Sequence, residues 1–286
     1  MGATARLLPC GTRLHLQHGP IDLIIGADGD RQAAFRAARR RFETVLEELV
    51  EELDVLRHPM TPEAPLPIGS VARRMDRAVR SHPSIFITRM AAVAGAVADE
   101  VLQTMNAAAD LQRAYVNNGG DIALHLSEGA AFTLAMNGHD GEDLGRIEVT
   151  SDNGISGIAT SGRHGRSLSL GIADSVTVLA ENAATADAAA TLIANAVDLP
   201  GHPQIRRATA CDIQPDSDLG KQLVTTHCGP LTSEETVIAL SRGETVANDM
   251  HRDGHIRAAA LFLNGDCRLI GQTGFASATK RIVAHA

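Results

Sequence analysis

The chain has 286 residues, a formal charge of −8 at pH 7, and only six Phe, one Tyr and no Trp. An acidic chain lacks the concentrated positive field of a phosphate-backbone binder, and so few rings leave little for base stacking, so nucleic acid is excluded as a partner. Four cysteines, Cys10, Cys211, Cys228 and Cys267, stand far apart with no Cys-x-x-Cys pair, and they read as reduced, mostly buried thiols. No apolar run suits an export signal or a bilayer span, so the expected setting is cytoplasmic, with no membrane partner. The length suits a single domain over residues 1–286.

In chain order, Leu14 and Leu16 alternate with polar residues before Gly19-Pro20, which predicts a hairpin into Ile21–Ile25. One long helix is expected through "DRQAAFRAARRRFETVLEELVEELDVLRHP". Its arginines come early and its acids late, against the macrodipole, so a buried stripe of Phe35, Phe42, Val45, Leu46, Leu49 and Val50 must stabilise it. Pro59, Pro62, Pro65 and Pro67 end it in a rigid loop. A second helix near Ser70–Arg80, a short strand at Ile85–Ile87 and a helix of small residues over Ala91–Met105 follow. Gly95 costs that helix roughly 1 kcal/mol relative to alanine, which a close backbone approach or a ligand must recover.

From Ala114 the texture becomes strands and turns. "AYVNNGGDIALHL", "AFTLAMNG" and "GRIEVTSDNGISGIATSG" read as a mostly antiparallel sheet. A strand at Ser175–Leu179 leads into an alanine-rich helix. A strand in "PQIRRATACDI", a helix over Ser233–Asn248 and a hairpin turning at Asn264-Gly265 complete the chain. The fold class is α+β, with largely antiparallel sheets packed against long helices.

Three stretches carry candidate chemistry. Asp187 and Thr191 are one turn apart and share a helix face, where they read as solvated residues, a capping device or two ligands for a hard cation. One acid and one hydroxyl cannot saturate Mg²⁺, so carbonyls, water and ligand phosphates would complete it. In "NNGGDI", Asn118, Gly119, Gly120 and Asp121 make either an anion-accepting turn or an ordinary tight hairpin. In "IATSGRHGRS", Thr160, Ser161, Arg163, His164 and Arg166 can hold phosphate, or simply form a surface loop. His164 is a candidate proton shuttle without a partner acid visible in the sequence. His251 and His255 lack the Glu base of a zinc hydrolase, and Cys228 beside His227 makes a weak case for a nucleophile.

These pieces together resemble the ApbE-like superfamily of FAD:protein FMN transferases, and more closely an offshoot of it found in methylotrophic bacteria and methane-forming archaea. "AAVAGAVADEV" resembles the family's helix whose first residues give a backbone carbonyl to the metal, which places that role on Ala91. "YVNNGGDI" resembles the double-glycine turn lying along the flavin nucleotide. "SVTVLAENAATADAAAT" resembles the strand and helix whose acid and threonine hold Mg²⁺, here Asp187 and Thr191, and "IATSG" the stretch near the substrate. The resemblance covers about residues 84–197 and implies an ApbE-like fold.

Two departures bear on activity. Ala94-Gly95 stands where the transferases carry Lys-Gly or Glu-Gly, and "RHGRSLSLGIADSVTV" replaces a His-x-x-x-Asp-Pro-x-x-Gly block. The resemblance therefore implies a protein that binds a flavin, a pterin or another small phosphorylated cofactor, with Mg²⁺, in one-carbon metabolism, as a carrier or with a protein partner. The alternative it implies is a Mg²⁺-dependent FMN transferase or other nucleotide-processing enzyme. A homo-oligomer supported by the long first helix is a third expectation.

Overall fold

Apolar and polar residues alternate through the first strands, and that alternation lays down an antiparallel sheet. The computed structural model describes residues 2–82 and 85–276, so Ser84, at the edge of the resembling stretch, lies outside the described residues. The chain divides into two compact units, one of residues 1–131, 150–159 and 180–188, the other of residues 132–149, 160–179 and 189–286.

In the first unit, β1 (Thr4–Leu7), β2 (Arg13–His18) and β3 (Ile21–Gly29) form an antiparallel meander. His18 pairs with Ile21 across the expected Gly19-Pro20 turn, and Leu14, Leu16 and His18 all face inward. Helix α1 (Arg31–Glu51) is capped by Asp30, whose side chain accepts the Ala33 N–H at 3.1 Å. The single long helix predicted here breaks at Glu52, and α2 (Leu53–Arg57) follows. Glu52 leaves helical geometry, and its carboxylate accepts the Ile68 and Gly69 N–H groups, both at 2.6 Å. It thereby neutralises the start of α3 (Ser70–Arg80), whose own N-cap residue, Gly69, has no side chain to do so. The stripe on α1 buries Phe42, Val45 and Leu49 together with Ala34, Ala37 and Ala38. Val50 is exposed, because the residue next to Leu49 turns about 100° away from the buried face.

No strand forms at residues 85–87. The Met60 N–H bonds the Ile87 carbonyl and Pro59 pairs with Thr88 as an isolated bridge. The fully buried Arg89 organises this region: its guanidinium donates to Asp76 at 2.7 Å and to the Val55 and Pro65 carbonyls at 2.8 and 2.7 Å. Residues Arg89–Ala92 form a 3-10 turn leading into α4 (Val93–Ala108), which packs on α1 and on β4 (Leu111–Asn118) and β5 (Asp121–Leu126).

Strands β6 (Ala131–Asn137) and β7 (Asp143–Thr150) belong to the second unit except for Ala131 and Thr150. The chain returns at β8 (Gly157–Ser161), which pairs antiparallel with β5 through Ile122↔Ile158 and Ala123↔Gly157. β9 (Ser175–Ala180) precedes α5 (Ala183–Ala196), the alanine-rich helix, which begins in the first unit and ends in the second. The second unit continues with β10 (Ile205–Thr209), α6 (Ala210–Ile213), β11 (Leu223–Cys228), α7 (Ser233–Arg252), β12 (Ala258–Leu263), β13 (Asp266–Ile270) and β14 (Phe275–Ala276). β12 lies antiparallel between β9 and β13, with α7 packed on β12 and β13. The expected turn joins β12 and β13, with positive φ at both Asn264 and Gly265. This is the expected α+β arrangement of antiparallel sheets against helices.

The four cysteines are free, as expected, but Cys10 is exposed and the other three are half-buried. Hydrogen bonds from the Arg13 and Thr12 side chains lower the Cys10 thiol to about 6, whereas burial raises Cys267 to about 11. Among the described residues, no helix is long and apolar enough to cross a membrane.

Candidate functional site

A helix starts with four backbone N–H groups that lack partners inside the helix. At α5 side chains satisfy three of them, on Ala183, Ala184 and Thr185. Asp99, projecting from α4, takes the Ala183 and Ala184 N–H groups on its two oxygens at 3.0 and 2.9 Å. Asn182 is the N-cap: its side chain accepts the Thr185 N–H at 2.8 Å and its carbonyl the Ala186 N–H at 3.1 Å. The start of α5 is also held by glycines. A Cβ on Gly95 would lie 2.2 Å from the Ala183 carbonyl oxygen, and one on Gly157 2.0 Å from the Asn182 carbonyl carbon. The cost of Gly95 in α4 is recovered by this close backbone approach, one of the two reasons foreseen for it.

Asp187 returns the contact. Its Oδ2 accepts the Gly95 N–H at 3.0 Å, and the neighbouring Ala94 N–H also bonds its carboxylate. These are first-turn amides of α4, so an acid from α5 satisfies the start of α4. The capping reading of Asp187 thus holds, although the helix it caps is the neighbouring one. The residue keeps a partial opening to solvent, yet protein encloses its carboxylate densely. That burial and the nearby Asp121 push the carboxyl well above its ordinary range, against the pull of the two amides. Burial likewise raises Asp99 to about 6 despite its two amide donors.

The β4–β5 hairpin completes this corner of the first unit. Asn118 pairs with Asp121, and between them Gly119 and Gly120 take φ of 68° and 114°, closed to side chains without strain. The Asn117 side chain accepts the Gly120 N–H at 2.9 Å, which is the tight-hairpin alternative. The buried Asn118 amide donates to the Ala94 carbonyl at 3.1 Å and ties the hairpin to the first turn of α4. Asn118, Asp121, Asp187 and the Ala94–Gly95 backbone therefore form one connected group. Ala91 falls in the 3-10 turn before α4, its N–H on the Thr88 carbonyl at 3.3 Å. Half-buried Thr191 follows Asp187 by one turn on α5.

Thr160, Ser161 and Arg163 lie in the second unit. The Thr160 hydroxyl shares a 2.9 Å hydrogen bond with Thr177. The Arg163 fork is engaged by Asp174, with Nε at 2.9 Å and Nη2 at 2.6 Å from Oδ1, and the other Asp174 oxygen accepts the Asn264 N–H at 2.6 Å. Asp174 also supplies the acid partner that His164 lacked in sequence, 3.4 Å from Nε2, and the His139 ring lies beside it, 4.2 Å between centroids and tilted by 34°. Burial and the Arg163 charge hold His164 below its ordinary value.

Sequence reasoning passed over Asp99, Asn182 and Gly157. Their signals were present: Asp99 follows Gly95 by one helical turn, and Asn182 immediately precedes the helix, where an N-cap belongs. Among the described residues, no three His, Cys, Asp or Glu side chains gather as a metal cage. Mg²⁺ is commonly held by one or two carboxylates plus ligand phosphates, so Asp187 beside Asp121 fits a shared site rather than an all-protein one.

Residues 5–269 match the model of a family described as AbpE bacteria. The chain belongs to that family. The resemblance read from residues 84–197 is borne out over nearly the whole sequence, and the classification is ApbE-like. A UPF0280 protein of Methanothrix thermoacetophila is 31% identical over 182 residues, covering 63% of this chain and 75% of the relative. A UPF0280 protein of Methanothermobacter thermautotrophicus is 32% identical over 209 residues, covering 70% and 72%. With a UPF0280 protein of Methanopyrus kandleri the match, 37% identical over 153 residues, spans only 59% of the relative's length. Among solved structures, an ApbE protein of Thermotoga maritima has 11% identity and a TM-score of 0.48, covering 93% of this chain and 96% of that one. A variant of the flavin transferase ApbE from Vibrio cholerae has 13% identity and the same TM-score of 0.48, covering 94% and 97%. At these identities no residue role passes from those structures to this member of the AbpE bacteria family.

Proposed function

We propose that this ApbE-like protein is a Mg²⁺-dependent nucleotide-processing enzyme, with flavin nucleotide as its ligand class and FMN transfer as the narrow form of the reaction. The observation that carries this reading is the Asp187 carboxylate, enclosed beside Asp121 and seated on the first amides of α4. Two acids brought together at a helix start create a demand for positive charge that a hard cation answers. Asp187 would hold Mg²⁺, with Thr191 contributing from one helical turn away and the Ala91 carbonyl from the turn before α4. Bound there, the ion would neutralise phosphate charge and polarise the bond that breaks. The Gly119–Gly120 turn would let a phosphate chain approach the backbone, while Asn118 holds that turn against Ala94.

A second reading, a flavin or pterin carrier in one-carbon metabolism, draws on a different observation. Ala94 is aliphatic where transferases place a charge, and the Arg163 fork is already paired with Asp174, so few charged groups remain to drive chemistry.

Calorimetry with FAD and FMN, with and without Mg²⁺, tests the shared part of both readings. Mg²⁺ should tighten binding in the wild type, and Asp187→Asn should lose about tenfold in affinity, the equivalent of one modest charged contact. Equal Mg²⁺-dependent affinity in both proteins would sink the site. Incubation with FAD and a threonine-containing acceptor separates the readings: an acceptor mass gain equal to FMN supports transfer, and binding with no gain supports the carrier.

A further inference from the structure

We propose that Asp99 is the positioning residue for Asp187, the two acids forming a reciprocal cap that fixes the first turns of α4 and α5 against each other. The inference rests on the reading above, in which Asp187 is the functional carboxylate.

The arrangement is close to symmetric. Asp99 follows Gly95 by four residues on α4, and Asp187 follows Ala183 by four residues on α5. Each acid crosses to the first-turn amides of the other helix: Asp99 to Ala183 and Ala184 at 3.0 and 2.9 Å, Asp187 to Gly95 at 3.0 Å. Each helix start presents partial positive charge, and each receives a carboxylate. Where the helices meet there is no side chain to give way, since a Cβ on Gly95 would sit 2.2 Å from the Ala183 oxygen. Gly157 closes the other side of Asn182 at backbone distance. The glycines fix the spacing of the two helix starts. The paired bonds to Asp99, which occupy both its oxygens, fix the rotation of α5 about its axis, and that rotation aims Asp187.

Amide NMR of the full chain tests this without requiring a ligand. In Asp99→Asn one oxygen is replaced by an NH₂ group that faces an N–H, so the Ala183 and Ala184 amides must shift under any reading. The positioning role predicts more: the Gly95 amide, which reports the Asp187 carboxylate, should shift too and exchange about tenfold faster, as expected for loss of one hydrogen bond. A Gly95 amide unchanged in shift and exchange, with Ala183 and Ala184 altered, would overturn the proposal and leave Asp99 a simple cap of α5. If Asp99→Asn is too unstable to assign, Asp187→Asn reads the same coupling in reverse at Ala183 and Ala184, and silence there also overturns it. A Mg²⁺ titration of the wild type separates the two layers: no binding defeats the proposed function, while the Gly95 amide still decides the role of Asp99. Where the wild type binds, Asp99→Asn should weaken Mg²⁺ several-fold, and an unchanged affinity counts against positioning.

Discussion

Gly95 is the residue on which the first unit's helix contact turns. Its missing side chain lets the α4 backbone approach the Ala183 and Ala184 peptides, and its N–H reaches Asp187. Alanine here should raise the helix propensity of α4 by roughly 1 kcal/mol. Its Cβ, however, would stand 2.2 Å from a carbonyl oxygen of the backbone, which cannot rotate away. Overpacking of this kind costs about 1–3 kcal/mol, so Gly95→Ala should lower stability on balance, read as a reduced urea midpoint with unchanged slope. A more stable Gly95→Ala variant would mean that the two helix starts separate easily. The glycine's cost was legible in the sequence because propensity is local. Its partner was not, because nothing local links Gly95 to Ala183, 88 positions further along the chain.

Among the elements, α7 shows how far a local pattern carries. Thr232 and Glu235 form a reciprocal capping box: the Thr232 hydroxyl accepts the Glu235 N–H at 3.2 Å, and the Glu235 carboxylate accepts the Thr232 N–H at 2.7 Å. Glu235 also pairs with His202 at 2.8 Å. The Thr232 backbone N–H first, then His202, hold the Glu235 carboxyl down at about 2. Its folded-state value is thus depressed below the ordinary 4.5, so its contribution to stability is present above pH 4.5 and is lost as pH falls toward 2. Thermal unfolding between pH 2 and 5 should show a shallower fall for Glu235→Gln than for the wild type, and parallel curves would reject the linkage.

The Asn264-Gly265 turn and the Gly119–Gly120 hairpin are legible in sequence because each is complete within a few residues, and the box is equally local, although only its helix was read. The break at Glu52 was not, since its cause is the demand of the α3 start for an acceptor 16 residues on. The absent strand at 85–87 has the same kind of cause, as Arg89 organises its loop through carbonyls at 55 and 65. The candidate site divides likewise. Asp187, Asp121 and Asn118 were visible as types at plausible spacings, whereas the commitment of Arg163 to Asp174 depended on a partner 11 residues away whose direction no pattern reveals.

On the scale of the whole molecule, the first unit is assembled from three separated segments, and the group of Asn118, Asp121, Asp99 and Asp187 lies where they join. Residues 1–131 supply β1 to β5 and α1 to α4, residues 150–159 bring in Gly157 and the first residues of β8, and residues 180–188 bring Asn182, Asp187 and the start of α5. Without the last two segments, β5 loses its partner at Ile122 and Ala123, and the Gly95 N–H loses its acceptor. The Asp99 carboxylate would lose both amide donors at once, and with them its tie to the start of α5. A natural domain holds only about 5–15 kcal/mol in reserve, so these losses, added to an uncovered apolar face on β5 and α4, consume much of it. Residues 1–131 made alone should therefore keep helical far-ultraviolet signal from α1, α3 and α4 but unfold without a sharp urea transition and bind a hydrophobic dye. A cooperative transition with protected amides in α4 would show that the later segments add only the site, and that the first segment folds without them.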